Sequence, residues 1–253
     1  MMNLVKTKSF EIAVNSSGDK NSSKVAILLP GRLDTKDYAN FDSHLDYLAH
    51  LGFYAVALDP PGTWDSPGGI ELFTTTNYLA AVNELIEYLG NKPTLLFGHS
   101  RGGAVANIIG TTNPAVVCII TAMASFGAPT PPDHETIKAG VYLDHRDFPP
   151  GTEKNPRQKI FAVPLSYFTD GGKYNDAEVL KSCLKPKLVF YGANDEFSSP
   201  KRVKKIFATL PDPKELHWLK CTHDYRYFPQ IINEVNQATK IFLEQYFSTS
   251  YEK

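Results

Sequence analysis

The sequence predicts an α/β fold in which a mostly parallel central sheet is flanked by helices on both faces. Three observations point there. Short β-rich apolar runs alternate with stretches of helical periodicity, and Gly and Pro punctuate the joins between them. Of the 253 residues, 42% are hydrophobic and 21% charged, the balance of one globular domain with enough apolar surface for a substantial core. Alternation of this kind implies right-handed crossovers and helices packed on both sides of the strands. The chain, 1–253, reads as a single domain interrupted by a cap or lid insertion at approximately 128–185.

The first strands are Phe10 to Val14 and, after a polar loop from Asn15 to Asn21, Val25 to Leu29. From Asp37 to Leu51, Tyr38, Phe41, Leu45 and Leu48 recur at helical spacing, and Gly52 follows where a left-handed cap is needed. Tyr54 to Leu58 is the next strand, followed by a Pro- and Gly-rich loop from Asp59 to Gly69. A second helix carries Leu79, Val82, Leu85, Ile86 and Leu89 on one side and ends before Gly90. A strand at Thr94 to Phe97 leads through a Gly-rich turn into a helix that begins near Gly103 and bears Val105, Ile108 and Ile109. Val116 to Thr121 and Leu188 to Tyr191 are two further buried strands. Between them, Ala128 to Lys185 holds Pro, Gly, Asp and aromatic residues with no long run of either period, so it is read as an insertion, and an excursion of that length is usually a lid or binding element. Ser199 then stands as an N-cap with Pro200 at the first helical position and Val203, Ile206 and Phe207 on one face. Glu215 to Leu219 forms the last strand, and a helix through Ile231, Val235, Ala238, Ile241, Phe242 and Tyr246 closes the chain.

In open α/β sheets ligands bind at the carboxyl ends of the strands, and the chemistry-bearing motifs fall at such ends. Gly98-His99-Ser100-Arg101-Gly102 matches G-x-S-x-G between an apolar strand and a helix. A serine presented on so tight a turn needs neighbours without Cβ atoms, which the two glycines supply, and its hydroxyl then stands clear of the sheet. Such a hydroxyl needs a base within hydrogen-bond reach and a third group to orient that base. Of the seven histidines, His44 and His50 fall on a predicted surface helix, His99 is the variable position inside the motif, His134 and His145 lie in the insertion, and His217 lies within the last strand. His223 alone occupies the loop after that strand, from which an imidazole can swing over the sheet edge. Asp195, directly after Leu188-Val189-Phe190-Tyr191, is the orienting carboxylate, with Glu196 its nearest rival.

The order Ser100, Asp195, His223, together with the turn around Ser100, resembles the α/β-hydrolase family over nearly the whole chain. Leu29-Pro30-Gly31-Arg32 is similar to that family's oxyanion loop, with Pro30 where many members have histidine. The resemblance implies an oxyanion and substrate-binding set of Gly31, Arg32 and Arg101, in which the backbone N–H groups of Arg32 and Arg101 face the developing negative charge. Asp59-Pro60-Pro61-Gly62-Thr63-Trp64-Asp65-Ser66 is similar to the family's D-x-x-G-x-G-x-S segment, except that Trp64 replaces the second glycine; the segment is read as structural and Trp64 as a packing plug rather than a pocket wall. For the side chains of Arg32 and Arg101 two roles stay open: binding a substrate carboxylate, or pairing with a neighbouring acid. Asp144-His145-Arg146-Asp147 has one histidine and no ligand-spaced partner, so it is read as a polar loop and no metal is expected.

The expected activity is hydrolysis of a carboxylic ester of a small soluble substrate through an acyl-enzyme, with Ser100 as nucleophile, His223 as base and acid, Asp195 as orienting group, and no cofactor. Thioester, amide, lactone and carbon–carbon hydrolysis suit the same residues, and a ligand receptor that keeps the fold without turnover is the alternative from another class. Lysine and arginine (26) nearly balance aspartate and glutamate (27), which favours neither nucleic acid nor an anionic membrane. No apolar run approaches the ~20 residues that cross a bilayer. Cys118, Cys183 and Cys221 are too few and scattered for a disulfide framework, and the expected compartment is the reducing cytoplasm.

Overall fold

The computed structural model describes residues 3–127 and 130–247; Ala128, the expected start of the insertion, lies outside them. In chain order the first half holds β1 (Asn3–Lys6), β2 (Glu11–Ser17), β3 (Val25–Leu29), α1 (Ala39–His50), β4 (Tyr54–Leu58), α2 (Thr75–Tyr88), β5 (Thr94–His99), α3 (Ser100–Thr112) and β6 (Val116–Ala122). The second half holds α4 (His134–Ala139), β7 (Val141–Asp147), β8 (Gln158–Pro164), α5 (Leu165–Gly171), α6 (Asp176–Leu180), β9 (Lys187–Gly192), α7 (Pro200–Ala208), β10 (Lys214–Leu219) and α8 (Pro229–Tyr246). Eight strands form one sheet in the order β1-β2-β4-β3-β5-β6-β9-β10. All neighbours from β4 to β10 run parallel, and β1 and β2 add an antiparallel edge.

The central strands are apolar on both faces because both faces are covered. In β3, Val25, Ile27 and Leu29 enter the core under α2, α3, α6 and α7, while Ala26 and Leu28 enter the one under α1 and α8. β9 repeats the pattern, with Val189 and Tyr191 on the first side and Leu188 and Phe190 on the second. Helix starts follow local chemistry: Thr74 accepts from the Asn77 amide ahead of α2, and Ser199 accepts from the Arg202 amide ahead of α7, whose first residue is Pro200.

Three features depart from the sequence expectation. β1 was not among the predicted strands; three of its four residues are exposed, so it carries no alternation to read. α3 starts at Ser100 rather than near Gly103, because Gly102 and Gly103 are themselves inside the helix. The segment before β9 is rich in regular structure: β7 and β8 pair as a separate antiparallel hairpin, flanked by α4, α5 and α6. Its periodicity was silent because the buried positions of β7 are the carboxylates Asp144 and Asp147 rather than apolar groups. Leu180 and Cys183, at the end of that segment, belong to the core beneath α3 and α7.

Candidate active site

Ser100 directly follows β5 and starts α3 with φ +51°, a region that side chains with a Cβ rarely adopt. The turn closes so tightly that a Cβ at Gly98 would lie 2.2 Å from the Gly102 carbonyl oxygen, and one at Gly102 would lie 2.0 Å from the Leu29 carbonyl oxygen. Backbone thus packs on backbone around the serine, which leaves the hydroxyl free at the sheet's carboxyl edge.

His223 reaches that hydroxyl from the loop after β10, its Nε2 2.9 Å from Ser100 Oγ. Its Nδ1 lies 2.8 Å from Asp195 Oδ2, in the loop after β9. Asp195 Oδ1 accepts from the amides of Phe197 and Ser198 at 2.8 and 2.9 Å, so the carboxylate plane is held and Oδ2 is left for the imidazole. Burial works against its charge, but the hydrogen bond from and charge of His223, helped by the two amides, hold the Asp195 carboxyl below its ordinary value. Glu196, the rival carboxylate, instead accepts from the His223 backbone amide at 2.9 Å. The structure therefore brings Ser100, His223 and Asp195 together in one hydrogen-bonded line.

A second histidine–carboxylate pair, absent from the sequence reading, lies beneath this line. His99 places Nδ1 3.1 Å from Asp34 Oδ2 and Nε2 3.1 Å from the His223 carbonyl oxygen. Both partners accept, so a ring that serves both carries both protons. Burial disfavours that charged form, but the Asp34 bond and charge, Asp224 and the His223 carbonyl outweigh it and raise the His99 pKa; His99 in turn overcomes the burial of Asp34 and pushes its carboxyl down. The signal lay in the sequence: Asp34 follows β3, the neighbour of β5, so the topology sets it beside the residue before Ser100.

The remaining predicted residues fall around the same point. Gly31 stands against Ser100, where a Cβ would lie 3.1 Å from the serine's own. Arg101 is the second residue of α3, a position whose amide has no intrahelical acceptor. Its buried guanidinium donates from Nη2 to Thr75 Oγ1, and among the described residues no carboxylate lies within 4 Å of it. Arg32 pairs with Asp144 at 2.9 Å and lies over the Tyr142 ring. Trp64 donates from Nε1 to the Leu33 carbonyl and meets Tyr38, Phe148 and Phe161 edge-on, the packing role expected of it.

Two expectations about other polar residues are revised. His44 is not on a surface face: it is fully buried, stacked on Phe97, with Nδ1 donating to Asn236 Oδ1 and Nε2 accepting from Tyr225, and burial lowers its pKa to about 4. Asp144 to Asp147 is strand rather than loop, and its carboxylates meet Arg32, Arg146 and Arg226. A further acidic trio, Asp37, Asp59 and Asp65, closes around the buried Lys36 ammonium, with contacts of 2.6 to 3.3 Å. An ammonium thus already holds the place between those carboxylates.

A cavity of about 450 Å³ opens over Ser100 and His223, walled by the β7–β8 hairpin, Tyr167 and Phe168 of α5, and the loops carrying Phe197 and Arg226. Among the described residues no helix is long and apolar enough to cross a membrane.

Comparison with known proteins places these features in context. A family model described as alpha/beta hydrolase family matches residues 26–235. A 2-hydroxy-6-oxononadienedioate/2-hydroxy-6-oxononatrienedioate hydrolase from Pseudomonas sp. is 25% identical over 243 residues, covering 84% of this chain and 85% of that one. Est1E from Butyrivibrio proteoclasticus, solved with ferulic acid bound, superposes with a TM-score of 0.75 at 16% identity over 97% of this chain and 99% of that one. The alpha/beta hydrolase domain-containing protein 10 from mouse gives 0.76 at 15% identity over 97% and 99%.

Proposed function

Since the chain belongs to the alpha/beta hydrolase family, we propose that it is a serine hydrolase that cleaves a carboxylic ester of a small soluble substrate through an acyl-enzyme. One observation carries the reading: an unbroken path from Ser100 Oγ through His223 to Asp195, with links of 2.9 and 2.8 Å. A serine hydroxyl is a weak nucleophile at neutral pH, and this path gives its proton somewhere to go. As Ser100 Oγ attacks the carbonyl carbon, His223 Nε2 takes the proton, and Asp195 holds the tautomer with hydrogen on Nδ1 and stabilises the imidazolium. The carbonyl oxygen turns towards the amides of Arg32 and Arg101, each such donor contributing about 3 kcal/mol to the tetrahedral transition state. His223 then returns the proton to the departing alcohol, and water repeats the sequence on the acyl-enzyme. The β7–β8 hairpin and α5 act as the cap that walls the acyl pocket.

Carbon–carbon hydrolysis is the second reading, favoured by the Pseudomonas relative. The compound in that protein's name holds carboxylates, a hydroxyl and a ketone but no ester or amide, so its hydrolysis breaks a carbon–carbon bond. A fluorophosphonate probe and p-nitrophenyl esters test the main reading. Wild-type protein is expected to be labelled and to release nitrophenol, with both signals lost in Ser100→Ala. Absence of labelling in the wild type, or equal labelling of the variant, overturns it; labelling without ester turnover points to the second reading.

A further inference from the structure

The wall of the cavity above Ser100 is basic. It includes Arg32, Arg101, Arg146, Lys154, Arg202 and Arg226 against the carboxylates Asp34, Asp147 and Asp224. Half of those cations are already neutralised. Arg226 pairs with Asp147 and Asp224, Arg146 with Asp144 and Asp34, and Arg32 with Asp144. Arg101, Arg202 and Lys154 have no carboxylate within 4 Å among the described residues. Arg101 is the most telling, because it is buried. The acid acting on it from farther away, Asp176, is engaged by Asn107 and the Gly127 amide.

Unsatisfied groups gather at the same place. Among the described residues, Arg101 Nε and Ser125 Oγ are buried without a hydrogen-bond partner, and both belong to residues that line this cavity. Ser125 adjoins the nucleophile, its amide donating to the Ser100 carbonyl at 3.3 Å. Buried donors without acceptors are costly and rare in folded proteins. A ligand carrying negative charge answers the unpaired cations of the cavity wall, and the planar fork of arginine matches a carboxylate.

We infer that the substrate's acyl part carries a free carboxylate besides the scissile bond, held in this cavity by Arg101, Arg202 and Lys154. The inference rests on the proposed acyl chemistry at Ser100 for its position but not for its charge. The mono-p-nitrophenyl ester of glutaric acid and its methyl-capped neutral isostere measure it directly. The anionic ester is expected to show about tenfold or greater advantage in kcat/KM, mainly through KM, as for hydrogen bonds to a charged group. Arg202→Gln and Lys154→Gln, both at exposed side chains, are expected to shrink that ratio, and Arg101→Gln to remove it. A ratio near one in the wild type, or one unchanged by all three substitutions, overturns the inference. Two further measurements separate it from the function above. Fluorophosphonate labelling that glutarate does not slow leaves the serine chemistry standing and removes the carboxylate site. Calorimetric binding of glutarate to Ser100→Ala in a protein whose wild type the probe never labels keeps the site and removes the serine chemistry. Inorganic phosphate binding as tightly as glutarate contradicts a carboxylate-shaped site.

Discussion

Trp64 has φ +46°, a backbone setting in which glycine is comfortable and a tryptophan is strained by about 1 kcal/mol or more. What offsets the strain is its half-buried ring among Tyr38, Phe148 and Phe161 and the hydrogen bond to Leu33. Removing a fully buried tryptophan side chain costs about 3–5 kcal/mol, and half of that still exceeds the strain released. Trp64→Gly is therefore expected to lose about 0.5–1.5 kcal/mol in urea unfolding; a variant as stable as the wild type contradicts this balance. His99 offers a second single-residue test. Its pKa lies above the ordinary 6.5, so its contribution to stability is complete below that value and is lost as pH rises through the folded one. Asp34, shifted down, contributes above the ordinary carboxylate value of 3.8 and fails only on acidification. The melting-temperature gap between wild type and His99→Gln is thus expected to be widest near pH 6 and to narrow towards pH 9. A gap that widens with alkali shows that the ring is not held as an imidazolium.

Elements whose buried faces are apolar were legible; those whose buried faces are charged were not. β3, β5 and β9 show continuous Val, Leu, Ile and Phe because both faces meet cores, and α7 carries a serine cap followed by proline. β7 buries only Asp144 and Asp147, aspartates that meet arginines, a pattern that hydrophobic periodicity does not register. His44 was misplaced for the related reason that a histidine on a helix reads as solvent-facing until a partner such as Asn236 is known. The join of β5 and α3 was read correctly in kind, since the glycines announce a turn that excludes Cβ atoms. Its tightness gives a prediction. An alanine at Gly98 would press against the backbone of Gly102 and Gly103, which cannot rotate away as a side chain can. Gly98→Ala is expected to destabilise by about 1–3 kcal/mol and to shift Ser100 enough to lower kcat about 100-fold. Near-wild-type kcat in the folded variant means that the turn is softer than these contacts imply.

At the scale of the whole molecule, the three residues of the proposed triad converge because β5, β9 and β10 run parallel and end at one edge, a topology that the alternation of elements already implied. The cavity was not legible in the same way, because its wall comes from a hairpin whose two strands pair with each other and not with the main sheet. The two large cores cover the faces of the sheet without any residue of β7 or β8. The hairpin contributes Phe161 and Val163 to a third, smaller cluster with Leu33, Phe73 and Tyr167. Val141 and Pro164 are paired across its base, so their Cα atoms stand about 5 Å apart and a two-glycine link can replace everything between Gly140 and Leu165. Arg226 would lose Asp147 and the Gly151 carbonyl but keep Asp224, and Arg32 would lose Asp144, both then beside water rather than beneath the hairpin. The remaining cost is the third cluster, about 3 kcal/mol for two apolar side chains and their neighbours, together with the hydrogen bonds that the Tyr38 hydroxyl and the Ala39 amide make to the hairpin. The shortened protein is expected to unfold in one cooperative transition at a lower midpoint, with the sheet's circular dichroism retained. Loss of cooperativity, with dye binding typical of a molten state, would mean that the hairpin is part of the structural core and that the sheet does not fold as a unit without it.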